Sequence, residues 1–265
     1  MMLDVNHVYK TFHPGTINER RALAGVDLHL EEGDFVTVIG GNGAGKSTLL
    51  NAVAGVWPVD GGSIVIDGND ITGLPDYKRA PFIGRVFQDP MMGTAPDMQL
   101  EENLALAYRR GKKLGLRWHI TREEREMYRQ KLRELNLGLE DRLTTKVGLL
   151  SGGQRQAVTL LMASLQKPRL LLLDEHTAAL DPATAAKVLE LSDRIVRENS
   201  LTTMMITHNM KDAIRHGNRL IMMNKGEIIF DCRGEEKAKL TVEELLEKFA
   251  EISGSALDSD RALLN

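Results

Sequence analysis

The stretch that decides the fold is "IGGNGAGKSTLL", residues 39–50. Its segment "GGNGAGKS", residues 40–47, has a glycine, four residues and then Gly-Lys-Ser, the spacing of a phosphate-binding loop. Glycines let backbone N–H groups turn inward around a phosphate without conflict from side chains. The run "FVTVI" before the loop favours a strand, and "STLLNAVAG" after it favours a helix. The stretch therefore predicts a nucleotide-binding α/β domain.

The polar residues of this loop have distinct predicted tasks. Lys46 would place its charge on the β- and γ-phosphates, and Ser47 would offer a hydroxyl to Mg²⁺. The helix that begins there would add the positive end of its dipole. The alternative interpretation is a tight turn that binds nothing. The residues expected to contact ATP are Gly40, Asn42, Gly43, Ala44, Gly45, Lys46, Ser47 and Thr48.

Two acidic residues end the apolar run "LLLLDEHT", residues 170–177. Open α/β sheets bind ligands beyond the carboxyl ends of their strands, where the phosphates of the first loop also lie. Asp174 could hold Mg²⁺ through water, and Glu175 could orient and deprotonate an attacking water. In the alternative interpretation the pair only caps the following turn.

Further polar side chains end neighbouring strand-like runs. His208 closes "TMMITH" and could hydrogen-bond the γ-phosphate and Glu175, although an isolated histidine is more often structural. Gln88 ends "IGRVFQ", and its amide could ligate Mg²⁺. Lys46 with Ser47, Gln88, the two acidic residues and His208 are thus predicted to converge on one nucleotide.

A second glycine-rich loop, "LSGGQ" at residues 150–154, precedes another helical pattern. Its bare N–H groups and the positive helix end predict a second anion site. With this loop, the ordered motifs resemble those of the ATP-binding cassette (ABC) ATPases over nearly the whole chain. The resemblance implies a P-loop NTPase fold, with a RecA-like α/β core, an antiparallel N-terminal β-subdomain and an inserted helical subdomain. We expect core residues 1–89 and 167–232, helical residues 90–166, and a C-terminal helix and tail at 233–265.

The resemblance also assigns residues to a dimer. Ser151, Gly152, Gly153 and Gln154 would cap the γ-phosphate held by a second copy, which gives a head-to-tail homodimer with two ATP molecules. Asp181 resembles the family's D-loop residue at the dimer seam, and it would also cap the helix that begins at Pro182. Phe12 corresponds to the aromatic residue that stacks on adenine. Phe12 could equally be a core residue, and Tyr9 is the next candidate.

Three positions depart from the family pattern without removing a phosphate or metal group. His176 stands where the family usually has proline, and Ala157 and Met162 replace two common arginines. We therefore expect activity to survive. The sequence of residues 150–182 resembles that of a bacterial subgroup of separate ATPase subunits. These subunits serve importers of small organic solutes, and amino acids, including aromatic amino acids, are the usual solutes.

Composition limits the partners. A net charge of −3 gives no general attraction for nucleic acid, and no apolar run is long enough to span a bilayer. Transport would require separate permease subunits, an extracytoplasmic solute-binding protein and a place on the cytoplasmic face of the membrane.

Met91 and Met92, which follow Gln88, would contact the permease or lie in the core. The alternatives are a small-molecule kinase or an ABC ATPase of DNA repair, cell division or mechanotransmission.

Other segments carry structural predictions. The single Cys232 excludes an internal disulfide and favours a small filler beside a strand. Residues 107–133 hold ten Lys or Arg and three Glu, which favours a solvated helical face and, as an alternative, a surface near anionic lipid. "NKGE" predicts a hairpin turn, Thr241 and Glu244 predict a capped helix, and the tail after Gly254 is expected to fray.

Overall fold

A computed structural model describes residues 2–112 and 120–253 of the chain. Strands form at the runs "FVTVI", "IGRVFQ", "LLLLD" and "TMMITH", as the sequence predicts. The strands of the described residues are β1 (Leu3–Phe12), β2 (Arg20–Leu30), β3 (Phe35–Ile39), β4 (Gly61–Ile66), β5 (Asn69–Asp70), β6 (Ile83–Val86), β7 (Leu170–Asp174), β8 (Thr202–Ile206), β9 (Arg219–Asn224) and β10 (Glu227–Arg233).

Helices begin after the phosphate loop, after Ser151 and after Asp181, as the sequence predicts, and another begins after Asn209. The short α2 and α8 have no clear periodic signal in the sequence. The bounds are α1 (Lys46–Ala54), α2 (Asp76–Arg79), α3 (Leu100–Tyr108), α4 (Arg122–Arg133), α5 (Gly152–Ser164), α6 (Pro182–Asn199), α7 (Met210–Arg215), α8 (Glu235–Lys239) and α9 (Val242–Ser253).

The chain divides into two compact units. The first comprises residues 1–79 and the chain from residue 200 onward, and the second comprises residues 80–199. The second unit contains the predicted helical subdomain, residues 90–166, together with β6, β7 and α6. The limits given above for that subdomain remain a prediction.

The first unit contains the predicted antiparallel sheet, in the order β2-β1-β4-β5. Leu3 pairs with Leu30 on one side and with Ile66 on the other, and all three side chains are fully buried. Alternation of buried and exposed residues along β2 fits a sheet with one covered face. Shifts in register along β1 near Val8 let the strand bend.

Parallel strands in the same unit carry the phosphate loop. β3 pairs in parallel with β8 and with β9, and every residue of β3 and β8 is buried. These two strands are therefore covered on both faces of the sheet. β10 joins β9 antiparallel through a turn in which Lys225 and Gly226 both have positive φ, 47° and 84°. Those angles suit a tight two-residue hairpin turn and confirm the "NKGE" hairpin.

The C-terminal helices complete the first unit. In the capping box of α9, the Thr241 N–H donates to Glu244 and the Glu244 N–H donates to the Thr241 hydroxyl, at 2.9 and 3.2 Å. This confirms the predicted helix start. Phe249 of α9 packs with Ile39, the last residue of β3. The expected fraying of the tail after Gly254 concerns residues outside the described ranges.

A buried arginine holds the far end of the helix that follows the phosphate loop. Arg79 is 2% exposed, and its guanidinium donates to the carbonyls of Ala52 and Val53 at the end of α1, at 2.8 and 2.9 Å. It also donates to Leu74 and Thr72. A cation at a helix C-terminus interacts favourably with the dipole and satisfies carbonyls that have no partner within the helix. Burial lowers the pKa of the Arg79 guanidinium.

In the second unit, β6 and β7 pair in parallel, and α5 packs against α6, β6 and α3. The basic segment lies partly here, on α4 and the end of α3. Its cations form ion pairs at 2.6–3.0 Å: Arg109 with Glu124, Arg125 with Glu101, Arg129 with Glu126 and Lys131 with Glu134. These pairs favour the solvated helical face over a lipid contact.

Among the described residues, no helix is both long enough and apolar enough to cross a bilayer.

Candidate nucleotide-binding site

The backbone of the first loop needs glycine at several positions. Gly40, Gly43 and Gly45 have φ of 148°, 79° and 106°, values that other residues rarely adopt. A Cβ on Gly45 would lie 2.6 Å from the Ala22 carbonyl oxygen, and one on Gly40 would overlap the Met223 carbonyl. The loop that leads into α1 therefore packs closely against β2 and the end of β9, and these contacts fix its conformation.

Lys46 lies inside this loop. It is 5% exposed, and its ammonium donates to the carbonyls of Gly40 and Gly41 at 2.6 and 3.2 Å. The helix start at Gly45 has no side-chain cap and no acidic residue in its first turn. Backbone N–H groups and one buried cation thus converge, which is an arrangement that binds a polyphosphate.

The parallel strands bring a second predicted residue to the same edge. Val38 of β3 is in register with Ile206 of β8, so Gly40 and His208 both follow carboxyl ends at that edge. His208 is partly exposed and lies in the bend before α7. Asn209 caps α7 by accepting hydrogen bonds from the N–H groups of Lys211 and Asp212.

In the second unit, the predicted residues Gln88 and Asp174 lie at the carboxyl ends of paired strands. Val86 of β6 is in register with Leu173 of β7, so Gln88 and Asp174 both lie at carboxyl ends. Glu175 follows with φ 46°, a left-handed conformation that costs energy for a residue other than glycine. Such strain is often found where a side chain must be aimed, and it favours a functional role for Glu175.

Arg85 is a residue of this edge that sequence reasoning missed. Its guanidinium lies 3.3 Å from the Asp174 carboxylate and 4.5 Å from the centroid of the Phe87 ring. Burial lowers the pKa of Arg85, and Asp174 acts in the opposite direction. The contact depends on β6–β7 register, because Arg85 stands opposite Leu172, and no local pattern reveals it.

The second loop differs from the first. Ser151 and Gln154 form a capping box at the start of α5, in which each backbone N–H donates to the other's side chain at 3.2 and 3.3 Å. A Cβ on Gly153 would overlap the Thr184 methyl group, and one on Gly152 would lie 3.4 Å from Leu180. Gly153 is therefore needed for the close approach of α5 and α6, whereas Gly152 has room for a Cβ, and neither glycine has a positive φ.

The D-loop candidate lies beside this second loop. Asp181 accepts a hydrogen bond from the Thr184 N–H at 3.1 Å, which agrees with the predicted cap of α6. Hydrogen bonds from Thr184 hold the pKa of the Asp181 carboxyl below its ordinary value. Its neighbour Leu180 faces Gly152, so the two segments that the resemblance assigns to the dimer seam adjoin in one chain.

The aromatic candidates occupy different surroundings. Phe12 ends β1 and is partly exposed, with its ring 5.0 Å from that of Trp57 at an angle of 83°. Tyr9 is also exposed in part, and its ring lies over Gly25. Phe12 pairs across the sheet with Arg20, which contacts the phosphate loop. Neither aromatic residue belongs to the buried core.

The positions that depart from the family pattern are accommodated in the interior. His176 is 2% exposed and its Nε2 lies 2.9 Å from the hydroxyl of Ser192, which in turn donates to Val188. Ala157 and Met162 are buried in α5. The histidine thus has a polar partner, which a buried imidazole requires.

Two secondary predictions are decided by exposure. Met91 and Met92 are exposed, Met92 by 70%, so the core alternative for them is wrong. Cys232 is buried on β10, as the filler interpretation predicts, and burial raises the pKa of its thiol.

A sequence profile described as "ABC transporter" matches residues 23–178, more than half of the chain. The chain belongs to the ABC transporter family. The match includes both glycine-rich loops, Gln88, Asp174 and Glu175, whereas Phe12, Asp181 and His208 lie outside it.

Curated relatives agree with this assignment. The chain is 47% identical over 253 residues to a tyrosine transport ATP-binding protein of Clostridioides difficile, covering 94% of this chain and 98% of that protein. It is 33% identical to a xylose/arabinose import ATP-binding protein of Sulfolobus acidocaldarius, covering 94% and 95%. A methionine import ATP-binding protein of Vibrio vulnificus is 34% identical, with 86% of this chain and 64% of that protein covered.

Solved structures confirm the fold class. A dimeric ATP-binding cassette in a post-hydrolysis state with ADP and Pi is 30% identical and has a TM-score of 0.74, covering 88% of this chain and 98% of that one. Another cassette of an ABC transporter has a TM-score of 0.77 at 27% identity, covering 95% and 98%. The chain is therefore an ATP-binding α/β cassette with ATPase activity, and the kinase and non-transport alternatives gain no support.

Proposed function

We propose that this chain is the ATP-hydrolysing subunit of an importer for a small organic solute of the amino-acid class, with tyrosine as the first candidate. The observation that carries the solute class is the identity of 47%, over almost the full length of both chains, to a tyrosine transport ATP-binding protein. The ATPase itself is supported by the buried Lys46 inside a glycine-shaped loop.

The chemistry of the site follows from its donors. Ser47, Gln88 and Asp174 offer hydroxyl, amide and carboxylate oxygens, the hard donors that Mg²⁺ prefers. Mg²⁺, when bound, would neutralise charge on the β- and γ-phosphate oxygens. Lys46 and the N–H groups of the loop bind the phosphates. Glu175 accepts the proton of the attacking water, and His208 hydrogen-bonds the γ-phosphate.

Two copies of the chain complete two sites. Ser151, Gly152, Gly153 and Gln154 of one copy would cap the γ-phosphate held by the other, and Asp181 would line the seam. The adjoining positions of Leu180 and Gly152 support a shared role for the two segments. Phe12 would stack on adenine. Its place opposite Arg20, which reaches the phosphate loop, supports that assignment over Tyr9.

The remaining partners are a membrane permease and an extracytoplasmic solute-binding protein. The exposed Met91 and Met92 after Gln88 support a permease contact there, because flexible thioethers adapt to an apolar partner. The subunit would then lie on the cytoplasmic face of the membrane. We propose no nucleic-acid partner, because a net charge of −3 gives the chain no general attraction for nucleic acid.

The hydrolysis assignment is tested with Glu175→Gln. Removing the base should lower turnover about 100-fold or more while ATP still binds, so a nucleotide-bound dimer should accumulate on size-exclusion chromatography. Glu198→Gln, at an exposed position near the end of α6, is the matched control and should behave like the unmodified chain. A Glu175→Gln variant that hydrolyses ATP at the normal rate contradicts the base assignment.

The solute assignment is tested by uptake of labelled tyrosine in cells whose copy of this gene carries Glu175→Gln. Uptake should fall strongly and return with the unmodified gene. Unlabelled phenylalanine, methionine and xylose as competitors would distinguish aromatic, other amino-acid and sugar solutes. Tyrosine uptake that is unchanged by the substitution would remove tyrosine as the solute while leaving the ATPase intact.

A further inference from the structure

Arg20 is a charged residue that neither the family motifs nor the mechanism above uses. It begins β2 and stands directly opposite Phe12 of β1 in the antiparallel sheet. Its guanidinium crosses to the phosphate loop, where NH2 donates to the Gly43 carbonyl at 2.8 Å. Arg20 therefore connects the strand end that carries the adenine candidate to the loop that holds the phosphates.

Gly43 lies at the crest of the loop, where it is exposed. A Cβ on Gly43 would overlap NH2 of the Arg20 guanidinium, so the end of the arginine side chain lies directly against this glycine. The base of the loop has other supports: the Ala44 carbonyl accepts from the Gly226 N–H at 2.9 Å, and Gly45 adjoins the Ala22 carbonyl. The crest residue, in contrast, is held from the side by Arg20.

One peptide plane is fixed at both ends by these contacts. The peptide between Gly43 and Ala44 has its carbonyl on Arg20, and its N–H donates to the Gly41 carbonyl at 3.1 Å. Because the peptide unit is planar, holding both groups sets the direction of the loop on either side. The guanidinium also adds a permanent positive charge beside a site built for anions.

We propose that Arg20 is a positioning residue of the nucleotide site, which holds the Gly43–Ala44 peptide in the conformation that receives the triphosphate. It acts through the loop and not on the reacting atoms, so it sets the affinity for the phosphate chain and leaves the rate of the chemical step unchanged. This inference depends on the proposed binding of the triphosphate by residues 40–48.

The test separates the two ends of the nucleotide. Affinities for ATP, and for inorganic tripolyphosphate as a competitor against labelled ATP, are measured for Arg20→Ala, Arg20→Lys and Phe12→Ala. Arg20→Ala should weaken both ligands by the same factor, about five- to tenfold, because a charge-assisted hydrogen bond is lost. Its kcat should stay within about twofold of normal, and Arg20→Lys should recover part of the affinity. Phe12→Ala should weaken ATP alone.

Arg21→Ala is the matched control, because Arg21 is the exposed neighbour that pairs with Thr11. It should leave both affinities unchanged. Normal binding of both ligands by Arg20→Ala would overturn the proposal, and so would a loss confined to ATP or a fall in kcat at unchanged KM. Unchanged ATP affinity in Phe12→Ala would remove only the adenine assignment, so the two failures are distinguishable.

Discussion

The two glycine-rich loops have similar composition but different reasons for it. In the first, Gly40, Gly43 and Gly45 have positive φ, and the helix start has no side-chain cap. In the second, the glycines have ordinary φ and Gly153 makes room for Thr184, while Ser151 and Gln154 cap the helix. The first loop requires glycine for its backbone conformation as well as for close contacts, whereas the second requires it only for packing between α5 and α6.

This difference bears on what each loop can do within one chain. The first loop has a helix start without a side-chain cap and a buried lysine that lies against the loop carbonyls, so its cation and the positive helix end are already placed for phosphate. The second loop already satisfies N–H groups through its own side chains, with donor–acceptor distances of 3.2 and 3.3 Å that indicate weak bonds. In the proposed dimer, a phosphate from the other copy would replace such bonds at low cost.

The largest expected effect is that of Gly45→Ala. A Cβ there meets the Ala22 carbonyl at 2.6 Å and requires a left-handed conformation, so the loop must shift. A misplacement of about 1 Å at such a site can cost about 100-fold in turnover. We expect ATP hydrolysis to fall by at least that factor and ATP affinity to fall with it, as measured by steady-state assay and calorimetry.

Gly33→Ala provides the control for backbone strain. Gly33 has φ of 85°, and a Cβ there meets nothing within 4 Å. It should lose about 1–2 kcal/mol of unfolding free energy from the left-handed conformation, with normal turnover. If Gly45→Ala resembles Gly33→Ala in turnover, the first loop is not shaped by close contacts as we infer.

Ser151→Arg changes the second loop and should have the next largest effect. The arginine blocks the approach of a phosphate from another copy, so turnover should fall about 100-fold, whereas ATP affinity of the single chain should stay within about twofold. Ser151→Ala removes the helix cap, at about 1 kcal/mol, and the hydroxyl proposed to reach the phosphate, but it adds no obstruction, so it should lower turnover less than Ser151→Arg does. A large drop in single-chain affinity for Ser151→Arg would mean that the second loop acts on its own chain's nucleotide.

Much of the fold could be predicted from local pattern. The buried strands β3, β7 and β8 are rich in apolar residues, and the turn at Lys225 and Gly226 is short and flanked by strand-like residues. The short α2 and α8 escaped prediction because four or five residues hold too little periodicity. Their positions depend instead on long-range contacts, such as the Arg79 hydrogen bonds to α1.

The candidate site likewise contains residues that the sequence predicts and residues that only the structure shows. Lys46, Ser47, Asp174 and Glu175 were predicted because each occupies a fixed place in a short motif. Arg20 and Arg85 were not, because their partners Gly43 and Asp174 are distant in sequence and come close only in the folded chain. Similarly, the glycine pair of the second loop predicts an anion site. The packing of Gly153 against Thr184 could not be predicted, because it depends on how α5 and α6 cross in the fold.

The smallest expected effect is that of Gly153→Ala, and it gives the sharpest test of the difference between the two loops. The sign of its effect on unfolding free energy should depend on the residue at position 184. Gly153→Ala places a methyl group against Thr184, and overpacking of this kind costs about 1–3 kcal/mol of unfolding free energy. Alanine in a helix gains about 1 kcal/mol over glycine, so the net change should be a modest loss. Thr184→Ser removes the obstructing methyl but keeps the hydroxyl beside Asp181. In that background Gly153→Ala should become neutral or stabilising by up to about 1 kcal/mol.

Chemical denaturation of the four chains in this double-mutant cycle measures the coupling between the two positions. Gly152→Ala is the internal control, since its Cβ would lie 3.4 Å from Leu180, an ordinary contact, and it should not depend on residue 184. If Gly153→Ala costs the same in both backgrounds, the second loop needs its glycine for the backbone, as the first loop does. The two loops would then be alike in cause as well as in composition.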